Sequence, residues 1–373
     1  MKIKKTIPDS FFIDEATRRF LEPITGPLHE IDQRLGAQCE SFDPNVSACV
    51  GYVAAAQGKR MRPALVFHSA AACSGRPLGG EPRRTKAPKA KLESGNEAGR
   101  PLDDRPQKER HENLLKAGLI VELVHIATLV HDDILDGATF RRGRLTAAAK
   151  WGPEISVLLG DCLFAHALKL AAEFPTPFVC RRVSEATNTV CAGEILQTQR
   201  RFDLKLSRGE YVKIIQMKTG ALFAVSCELG AFLGGGSPEG QNRLLQFGDL
   251  FGIAYQIYDD IVDLVGNETE TGKSLGTDLQ KGKLTLPLLL LLEQVGNGDH
   301  QVVSSLLLNE HNNTRGMLID YVRAHETIRQ SAEIALGYAR RAMEQLADFP
   351  ANEGADLLRG MSRLLIARLE HYL

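Results

Sequence analysis

Apolar residues recur at helical spacing through most of the chain, and sustained alternation of apolar and polar residues, which would indicate strands, is hard to find. The clearest helical segments cover residues 118–130, 154–174 and 178–199. Pro175 and Pro177 separate the last two segments, because proline is poorly tolerated inside a helix. The pattern therefore predicts an all-α protein.

Local signals mark the start of two further helices. Ser207 and Glu210 have the spacing of a capping box, in which each side chain bonds the backbone N–H of the other. Ser237 followed by Pro238 is typical of a helix start. These signals predict one helix from Ser207 to a run of glycines, and a second helix from Ser237 onward.

One segment interrupts the helical pattern. Residues 74–113 contain no aromatic residues and few aliphatic ones, and they carry charges of both signs. Such a composition buries too little apolar surface to fold, so this segment is predicted to be a polar, flexible insertion. The predicted organisation is an N-terminal extension at 1–20 and a single domain at 21–373 that carries the insertion.

Two acidic clusters share one spacing. Each follows an apolar helical run and precedes a glycine, so each is predicted at the C-terminal end of a helix, where carboxylates oppose the helix dipole. Positions three and four apart share one helix face, so the carboxylates of each cluster repel one another. The clusters are HDDILD, with Asp132, Asp133 and Asp136, and YDDIVD, with Asp259, Asp260 and Asp263.

Repulsion of this kind is relieved when a divalent cation binds, and all-oxygen ligation favours Mg²⁺. A single cluster is as well explained by a solvated acidic helix end. Two clusters that face each other across a cavity would instead hold several Mg²⁺ ions and a ligand with many anionic oxygens. A diphosphate fits that description.

Basic residues occur in four short motifs along the chain, some of them beside the acidic clusters. Taken singly, each is more simply explained as a solvated surface charge. Together, at loops and helix ends, they are typical of a phosphate site built from Arg forks and Lys ammonium groups. They are Lys59, Arg60 and Arg62 in GKRMRP, Arg141, Arg142 and Arg144 in FRRGR, Lys218 beside Thr219 in MKTG, and Lys273 and Lys283 in GKSLGTDLQKGK.

With these motifs in this order, the chain resembles the trans-isoprenyl diphosphate synthases of the polyprenyl synthetase family over roughly residues 20–373. The resemblance implies one all-α domain of long helices around a deep central cavity, with the two aspartate motifs facing each other at its mouth. It also implies a homodimer. The implied activity is a Mg²⁺-dependent condensation of an allylic prenyl diphosphate with isopentenyl diphosphate, with three ions in each active site.

The resemblance also assigns roles to particular residues. The six aspartates, with Lys218 and Lys273, are expected to hold the allylic diphosphate through Mg²⁺, and Arg141 is expected to contact it. Thr219 and Gln256 are expected to stabilise the allylic cation. His131 has no counterpart in the motifs and is expected to be structural. The second diphosphate, that of isopentenyl diphosphate, is assigned to Lys59, Arg62, His125 and Arg142.

Two small residues upstream of the first aspartate motif bear on product length. Ala127 and Thr128 are expected to face the space that the growing chain enters. In short-chain members of the family these positions tend to be aromatic, so small residues predict a medium- or long-chain all-trans product. The alternative is that both are small for helix packing alone.

Composition adds limits on partners and compartment. Lys and Arg total 45 and Asp and Glu total 46, so a net charge of −1 gives no reason to expect nucleic-acid binding. The longest apolar run, 286–292, is too short to span a bilayer, and the N-terminus has no signal-peptide core. Seven scattered cysteines without metal spacing indicate reduced thiols. We expect a cytoplasmic protein without stable membrane insertion.

Other functions remain open at this stage. The chain could be a geranylgeranyl- or farnesyl-type short-chain synthase, or the catalytic subunit of a heteromeric synthase. A class I terpene cyclase would not need GKRMRP, and its second metal motif normally differs from DDxxD. A non-enzymatic ion-binding helical protein would explain the carboxylates but not the paired basic sites.

Overall fold

A computed structural model describes residues 15–55, 58–75, 106–266, 275–308 and 314–373. Apart from one short hairpin, β1 (Phe140–Arg141) with β2 (Arg144–Leu145), regular structure in these ranges is helical, and the predicted all-α class is confirmed. The helices are α1 (Glu15–Leu21), α2 (Thr25–Gln38), α3 (Pro44–Ala54), α4 (Met61–Ser74), α5 (Gln107–Leu135), α6 (Ala147–Trp151), α7 (Pro153–Ala172), α8 (Pro177–Gln199), α9 (Arg208–Ile215), α10 (Ala221–Leu233), α11 (Pro238–Val265), α12 (Thr277–Gln280), α13 (Leu286–Gln294), α14 (Asn297–Leu308), α15 (Thr314–Ala324), α16 (Thr327–Glu344) and α17 (Glu353–Glu370).

Most predicted helix starts are confirmed. The reciprocal Ser207–Glu210 capping box is present, and the Ser237 hydroxyl caps α11 at the Gly240 N–H. The helix predicted after Ser207 is not continuous, however. A π-helical turn at Gln216–Gly220 separates α9 from α10.

Two predicted boundaries need correction. Helix α1 already begins at Glu15, inside the predicted extension, and Phe20 is buried beneath α4. Helix α5 begins at Gln107, inside the predicted insertion, because its polar first turns find partners that composition does not reveal. Arg110 is buried and donates to the Gly234 carbonyl, and Glu112 pairs with Arg34. Residues 76–105 of the insertion lie outside the described residues.

Helix α10 lies at the centre of the fold and packs on α4, α5, α8 and α11. The π turn that precedes it is held by backbone contact on both sides. A Cβ at Gly193 of α8 would lie 2.8 Å from the Lys218 N, and a Cβ at Gly252 of α11 would lie 2.8 Å from the Gly220 Cα. Any larger side chain at these glycines would push the turn away from its neighbours.

Two helices, α5 and α7, are long and apolar enough to cross a membrane by length and composition alone. In their most apolar windows, 67% of the α5 residues and 44% of the α7 residues are buried within the protein. Helix α5 is therefore a core helix, whereas α7 leaves part of an apolar face exposed.

Candidate active site

The first aspartate motif lies at the C-terminal end of α5. Asp136 occupies the capping position, and Gly137, with φ +58°, ends the helix as predicted. Three cations surround the Asp136 carboxylate: Lys283 at 3.0 Å, Arg201 at 3.1 Å and Lys281 at 3.3 Å. Burial opposes ionisation of this group, but the two lysines outweigh it and hold the pKa of Asp136 below its usual value.

Lys218 approaches the same motif from the π turn. Its ammonium forms an ion pair with Glu194 and a 3.0 Å hydrogen bond with the Gln197 side-chain carbonyl, and it lies 3.7 Å from Asp132. Although burial disfavours the charged form, Asp132 and Glu194 raise the pKa of Lys218. Lys218 therefore stays protonated at the mouth of the site.

Sequence reasoning missed Glu194 and Gln197. They stand three residues apart on one face of α8 in GEILQ, which is a signal for a paired polar contact. Their partner was not visible, because Lys218 is more than twenty residues further along the chain.

The second aspartate motif lies near the end of α11. Asp260 is buried and accepts hydrogen bonds from the Tyr211 hydroxyl at 2.5 Å and from the Gln256 amide at 2.8 Å. The Gln256 side-chain carbonyl in turn accepts a 2.8 Å hydrogen bond from Thr219. The structure thus connects Thr219, Gln256 and Asp260, all predicted site residues, in one chain of hydrogen bonds.

Asp263, in the last turn of α11, accepts hydrogen bonds from the Thr277 hydroxyl and the Asp278 N–H of α12, both at 3.2 Å. Asp278 was not singled out from the sequence. Burial, followed by the Asp263 charge, raises the pKa of Asp278 to about 6. Asp278 is thus a further carboxylate at the second motif.

One ammonium group links the first motif to Asp278, beside the second motif. Lys283 lies 3.0 Å from Asp136 and 3.9 Å from Asp278, although these residues are far apart in sequence. The ends of α5 and α11 therefore face each other, as the resemblance implied. Lys273 lies outside the described residues.

The β1–β2 hairpin supplies arginines beside the first motif. Arg141 donates a 2.7 Å hydrogen bond to Asp133, which is buried. Arg142, with φ +52°, lies against the GKRMRP segment, since a Cβ at Gly58 would be 3.0 Å from its Nη1. Asp133 therefore positions Arg141. Arg142 belongs to FRRGR and lies against GKRMRP, so it connects these two motifs.

A cleft of about 570 Å³ beside the hairpin contains His125, Arg141 and Arg142. Burial, and then the charges of Arg62 and Arg142, keep the pKa of His125 well below its usual value. His125 is therefore neutral and can donate one hydrogen bond and accept another. Arg62 lies close by, with its guanidinium 5.0 Å from the centre of the Phe223 ring.

The remaining GKRMRP cations have other surroundings. Arg60 is buried in ion pairs with Glu122 and with Asp32, the latter at 2.9 Å, so it fastens α4 to α2 and α5. Lys59 is exposed and lines a second cleft of about 500 Å³ with Tyr255 and Arg368. The two clefts thus divide the residues assigned to the second diphosphate.

Ala127 and Thr128 lie on different faces of α5. A helix turns about 100° per residue, so Thr128 is about 40° from Asp132 and Ala127 about 140°. Thr128 is half-buried and donates to the His125 carbonyl at 2.7 Å, whereas Ala127 is fully buried. Thr128 is therefore the closer of the two to the Asp132 face, and the role of both residues in product length stays a prediction. His131 contacts α7 through the Val157 carbonyl at 3.1 Å, as expected for a structural residue.

The donor chemistry at the mouth suits a hard cation. Asp132, Asp136, Asp259 and Asp278 provide carboxylate oxygens, which Mg²⁺ prefers. Within the described ranges, no three acidic, His or Cys side chains are arranged to hold an ion by themselves. The carboxylates are instead matched with nearby cations such as Lys218 and Lys283.

Comparison with known proteins agrees with this geometry. The sequence model of the polyprenyl synthetase family matches residues 43–322. The chain belongs to the polyprenyl synthetase family. This family member is 34% identical to heptaprenyl diphosphate synthase component 2 of Geobacillus stearothermophilus, over 67% of the chain and 78% of the relative.

Two Rhodobacter capsulatus proteins match nearly the whole chain. The all-trans-nonaprenyl-diphosphate synthase (geranyl-diphosphate specific) is 29% identical over 94% of this chain and 97% of its own. The crystal structure of a decaprenyl diphosphate synthase superposes with a TM-score of 0.79 at 25% identity, covering 95% and 99% of the two chains. The predicted polyprenyl synthetase family and trans-prenyltransferase class are confirmed.

Proposed function

We propose that this protein elongates an allylic prenyl diphosphate with isopentenyl diphosphate, head to tail, to a medium- or long-chain all-trans polyprenyl diphosphate. The observation that carries the proposal is the bridge from Asp136 through Lys283 to Asp278. It joins the first motif to Asp278, which is bonded to Asp263 of the second motif, so carboxylates and their matching cations share one site that suits Mg²⁺ and a diphosphate together.

The allylic diphosphate is assigned to the mouth between α5 and α11. Asp132 and Asp136 would hold Mg²⁺ on one side, and Asp259 and Asp278 on the other, with three ions in all. Bound Mg²⁺ supplies Lewis-acid charge that makes the diphosphate a better leaving group. Lys218 and Arg141 add positive charge. Asp133, Asp260 and Asp263, which the sequence also predicted as Mg²⁺ ligands, are here assigned to holding neighbouring groups in position, because each is already hydrogen-bonded.

Isopentenyl diphosphate is assigned to a site that uses no metal. Its cations are Arg62, Arg142 and Lys59, and neutral His125 is a hydrogen-bonding partner. Charge-assisted bonds from guanidinium groups suit a second diphosphate that carries no ion. The grouping is supported by the charges of Arg62 and Arg142, which both act on His125. Lys59 lines the neighbouring cleft, so its contact would come from that side.

The chemical step then requires little of the protein beyond positioning. The allylic C–O bond breaks, and its electron pair leaves with the diphosphate. The double bond of isopentenyl diphosphate attacks the resulting cation to form the new C–C bond, and a proton is lost to the departing diphosphate. The Thr219 hydroxyl donates to Gln256, so its oxygen lone pairs are available to stabilise the cation.

Product length is inferred from α5. Thr128 is a small residue about one turn before Asp132 on the same face, so its side chain places no aromatic ring in the path of the growing chain. The heptaprenyl, nonaprenyl and decaprenyl names of the similar proteins support a long product.

Assembly as a homodimer is the favoured state, and an apolar patch on α7 and α8 supports it. Ile155 and Leu158 on α7 and Ile195 on α8 are 46%, 64% and 59% exposed. These two helices pack against each other. Burial, and then the charge of Asp161 on α7, raise the pKa of Cys191 on α8. A heteromeric synthase is the second candidate, because one relative is named as a component.

Seven free cysteines support a cytoplasmic setting.

One assay tests the activity. Purified protein is incubated with Mg²⁺, farnesyl diphosphate and labelled isopentenyl diphosphate, and the products are dephosphorylated and separated by chain length. Products longer than the C15 primer are expected. A folded dimer that yields no longer prenyl diphosphate, alone or with a candidate partner subunit, would refute the proposal.

A further inference from the structure

Arg201 joins the first aspartate motif from outside the family motifs. It lies in the connection between α8 and α9, and its guanidinium donates to the Leu135 carbonyl at 3.2 Å and to Asp136 at 3.1 Å. It therefore contacts both the last turn of α5 and the carboxylate that caps it. Its side chain is 21% exposed, so the contact is partly shielded from solvent.

The connection between α8 and α9, which carries Arg201, is held in position by contacts with Gly282. Phe202 has φ +59°, an unfavourable value for a bulky residue, and its N–H donates to the Gly282 carbonyl at 2.8 Å. Gly282, with φ +68°, packs directly on the Phe202 ring. Because Gly282 stands between Lys281 and Lys283, this contact holds Arg201 and the two lysines as one group around Asp136.

Three cations share one carboxylate in this group. Arg201, Lys281 and Lys283 all contact Asp136. Asp278 lies 3.9 Å from Lys283, and Asp132 and Asp133 are near enough to feel the charges of the two lysines. A divalent cation that approaches Asp136 must compete with its three cations for the carboxylate oxygens, whereas a diphosphate is attracted by those cations.

We propose that Arg201 couples the binding of Mg²⁺ to the binding of a diphosphate. Without a diphosphate, Arg201 occupies Asp136 and weakens Mg²⁺ binding there. With a diphosphate present, Arg201 keeps its hold on the Leu135 carbonyl and its charge helps to retain the anion. This inference rests on the proposed function, because it assumes that Asp136 meets both ligands.

Two binding titrations test the coupling without measuring turnover. Mg²⁺ alone is titrated by calorimetry into the substrate-free protein, and inorganic pyrophosphate is titrated at saturating Mg²⁺. The variants are Arg201→Gln, which removes the charge, and Arg201→Lys, which keeps it. Arg200→Gln is the matched control, because Arg200 is the adjacent arginine, 43% exposed, and pairs with Asp203 and Glu210 instead.

Arg201→Gln is expected to bind Mg²⁺ alone about threefold to tenfold more tightly and pyrophosphate about tenfold more weakly, because a cation that competes for Asp136 and attracts the anion is removed. Arg201→Lys and Arg200→Gln should stay close to wild type in both titrations. Lys281→Gln removes another cation of the same group and should act in the same direction, so the test does not depend on one variant folding.

The outcomes separate this inference from the proposed function. Unchanged titrations for Arg201→Gln, or weaker binding of Mg²⁺ alone, would overturn the coupling and leave Arg201 a structural residue. A wild-type protein that binds neither Mg²⁺ nor pyrophosphate would instead overturn the proposed function.

Discussion

The carboxylates of the two motifs differ in what surrounds them. Asp133 and Asp260 are 5% and 4% exposed and are hydrogen-bonded by Arg141 in one case and by Tyr211 and Gln256 in the other. Their first effect is to hold those partners in place. Asp132 and Asp259 are only half-buried and are better placed to meet a ligand.

Asp132→Ala and Asp259→Ala are therefore expected to lower kcat by about two to four orders of magnitude while the fold is kept, since each removes a metal ligand. Asp320→Ala, on the exposed face of α15, is the control and should match wild type. Steady-state turnover and circular dichroism of all three variants are the measurements. Wild-type turnover in either site variant would contradict the metal assignment.

The metal-free diphosphate site predicts a different kinetic signature. Lys59→Ala and Arg62→Gln should raise the KM for isopentenyl diphosphate about tenfold or more above any change for the allylic substrate, because direct charge-assisted bonds are lost. Lys169→Ala, an exposed lysine on α7, serves as control. Equal changes in both KM values would show that these residues do not discriminate between the two sites.

Helix α5 carries two neighbouring small residues with separate consequences. Thr128→Phe places a ring on the Asp132 face and is expected to shorten the product, because further extension of the chain meets the ring. Ala127→Phe enlarges a fully buried position and should instead cost about 1–3 kcal/mol of stability through overpacking. Product chromatography and urea unfolding separate the two effects. An active Thr128→Phe variant with wild-type products would contradict this account of the cavity.

Helix α4 is joined to α1 through a buried imidazole. His68 is fully buried, and its Nε2 lies 2.8 Å from the Phe20 carbonyl, to which it donates in the neutral form. Burial lowers the pKa of His68 to about 3, from 6.5 in an unfolded chain. The unfolded chain alone takes up this proton between these values, so the free energy of unfolding falls as pH falls from 6.5 toward 3.

By proton linkage, this one group changes the free energy of unfolding by about 1.4 kcal/mol per pH unit where it is protonated in the unfolded chain only. His68→Gln keeps a side-chain donor but does not titrate, so its stability should fall less steeply than that of wild type between pH 6.5 and 5. Other titrating groups are common to both proteins and cancel in the difference. Urea unfolding at several pH values measures both slopes, and equal slopes would mean that His68 takes up its proton in the native state over the same pH range as in the unfolded chain.

For the whole molecule, the apolar patch on α7 and α8 predicts the oligomeric state. Light scattering at micromolar concentration should give twice the 40.9 kDa chain mass for the wild type. Leu158→Glu and Ile195→Glu should shift the protein toward monomer, because each introduces a charge into a desolvated contact. Met317→Glu, at a residue 51% exposed on α15, is the matched control. A wild-type monomer would refute the homodimer.

Local patterns predicted much of this molecule and distant pairings did not. The ends of α5 and α11 and the Ser207–Glu210 cap follow from residues within a few positions of one another. The contacts of Asp136 with Arg201 and Lys283 join residues 65 and 147 positions apart, which periodicity cannot anticipate. Asp278 and Glu194 were missed for the same reason, because their burial and partners depend on how helices pack.

The π turn at Gln216–Gly220 has a genetic consequence. It is closed by the Ala221 N–H bonding to the Gln216 carbonyl, one residue further than in an α-helix. An in-frame deletion of a single codon here would restore ordinary helical spacing and rotate everything before it by about 100° relative to α10. Lys218 could then no longer contact α8 while Thr219 contacts α11. In a library selected for activity, such deletions should be lost even if every substitution at Met217 is tolerated.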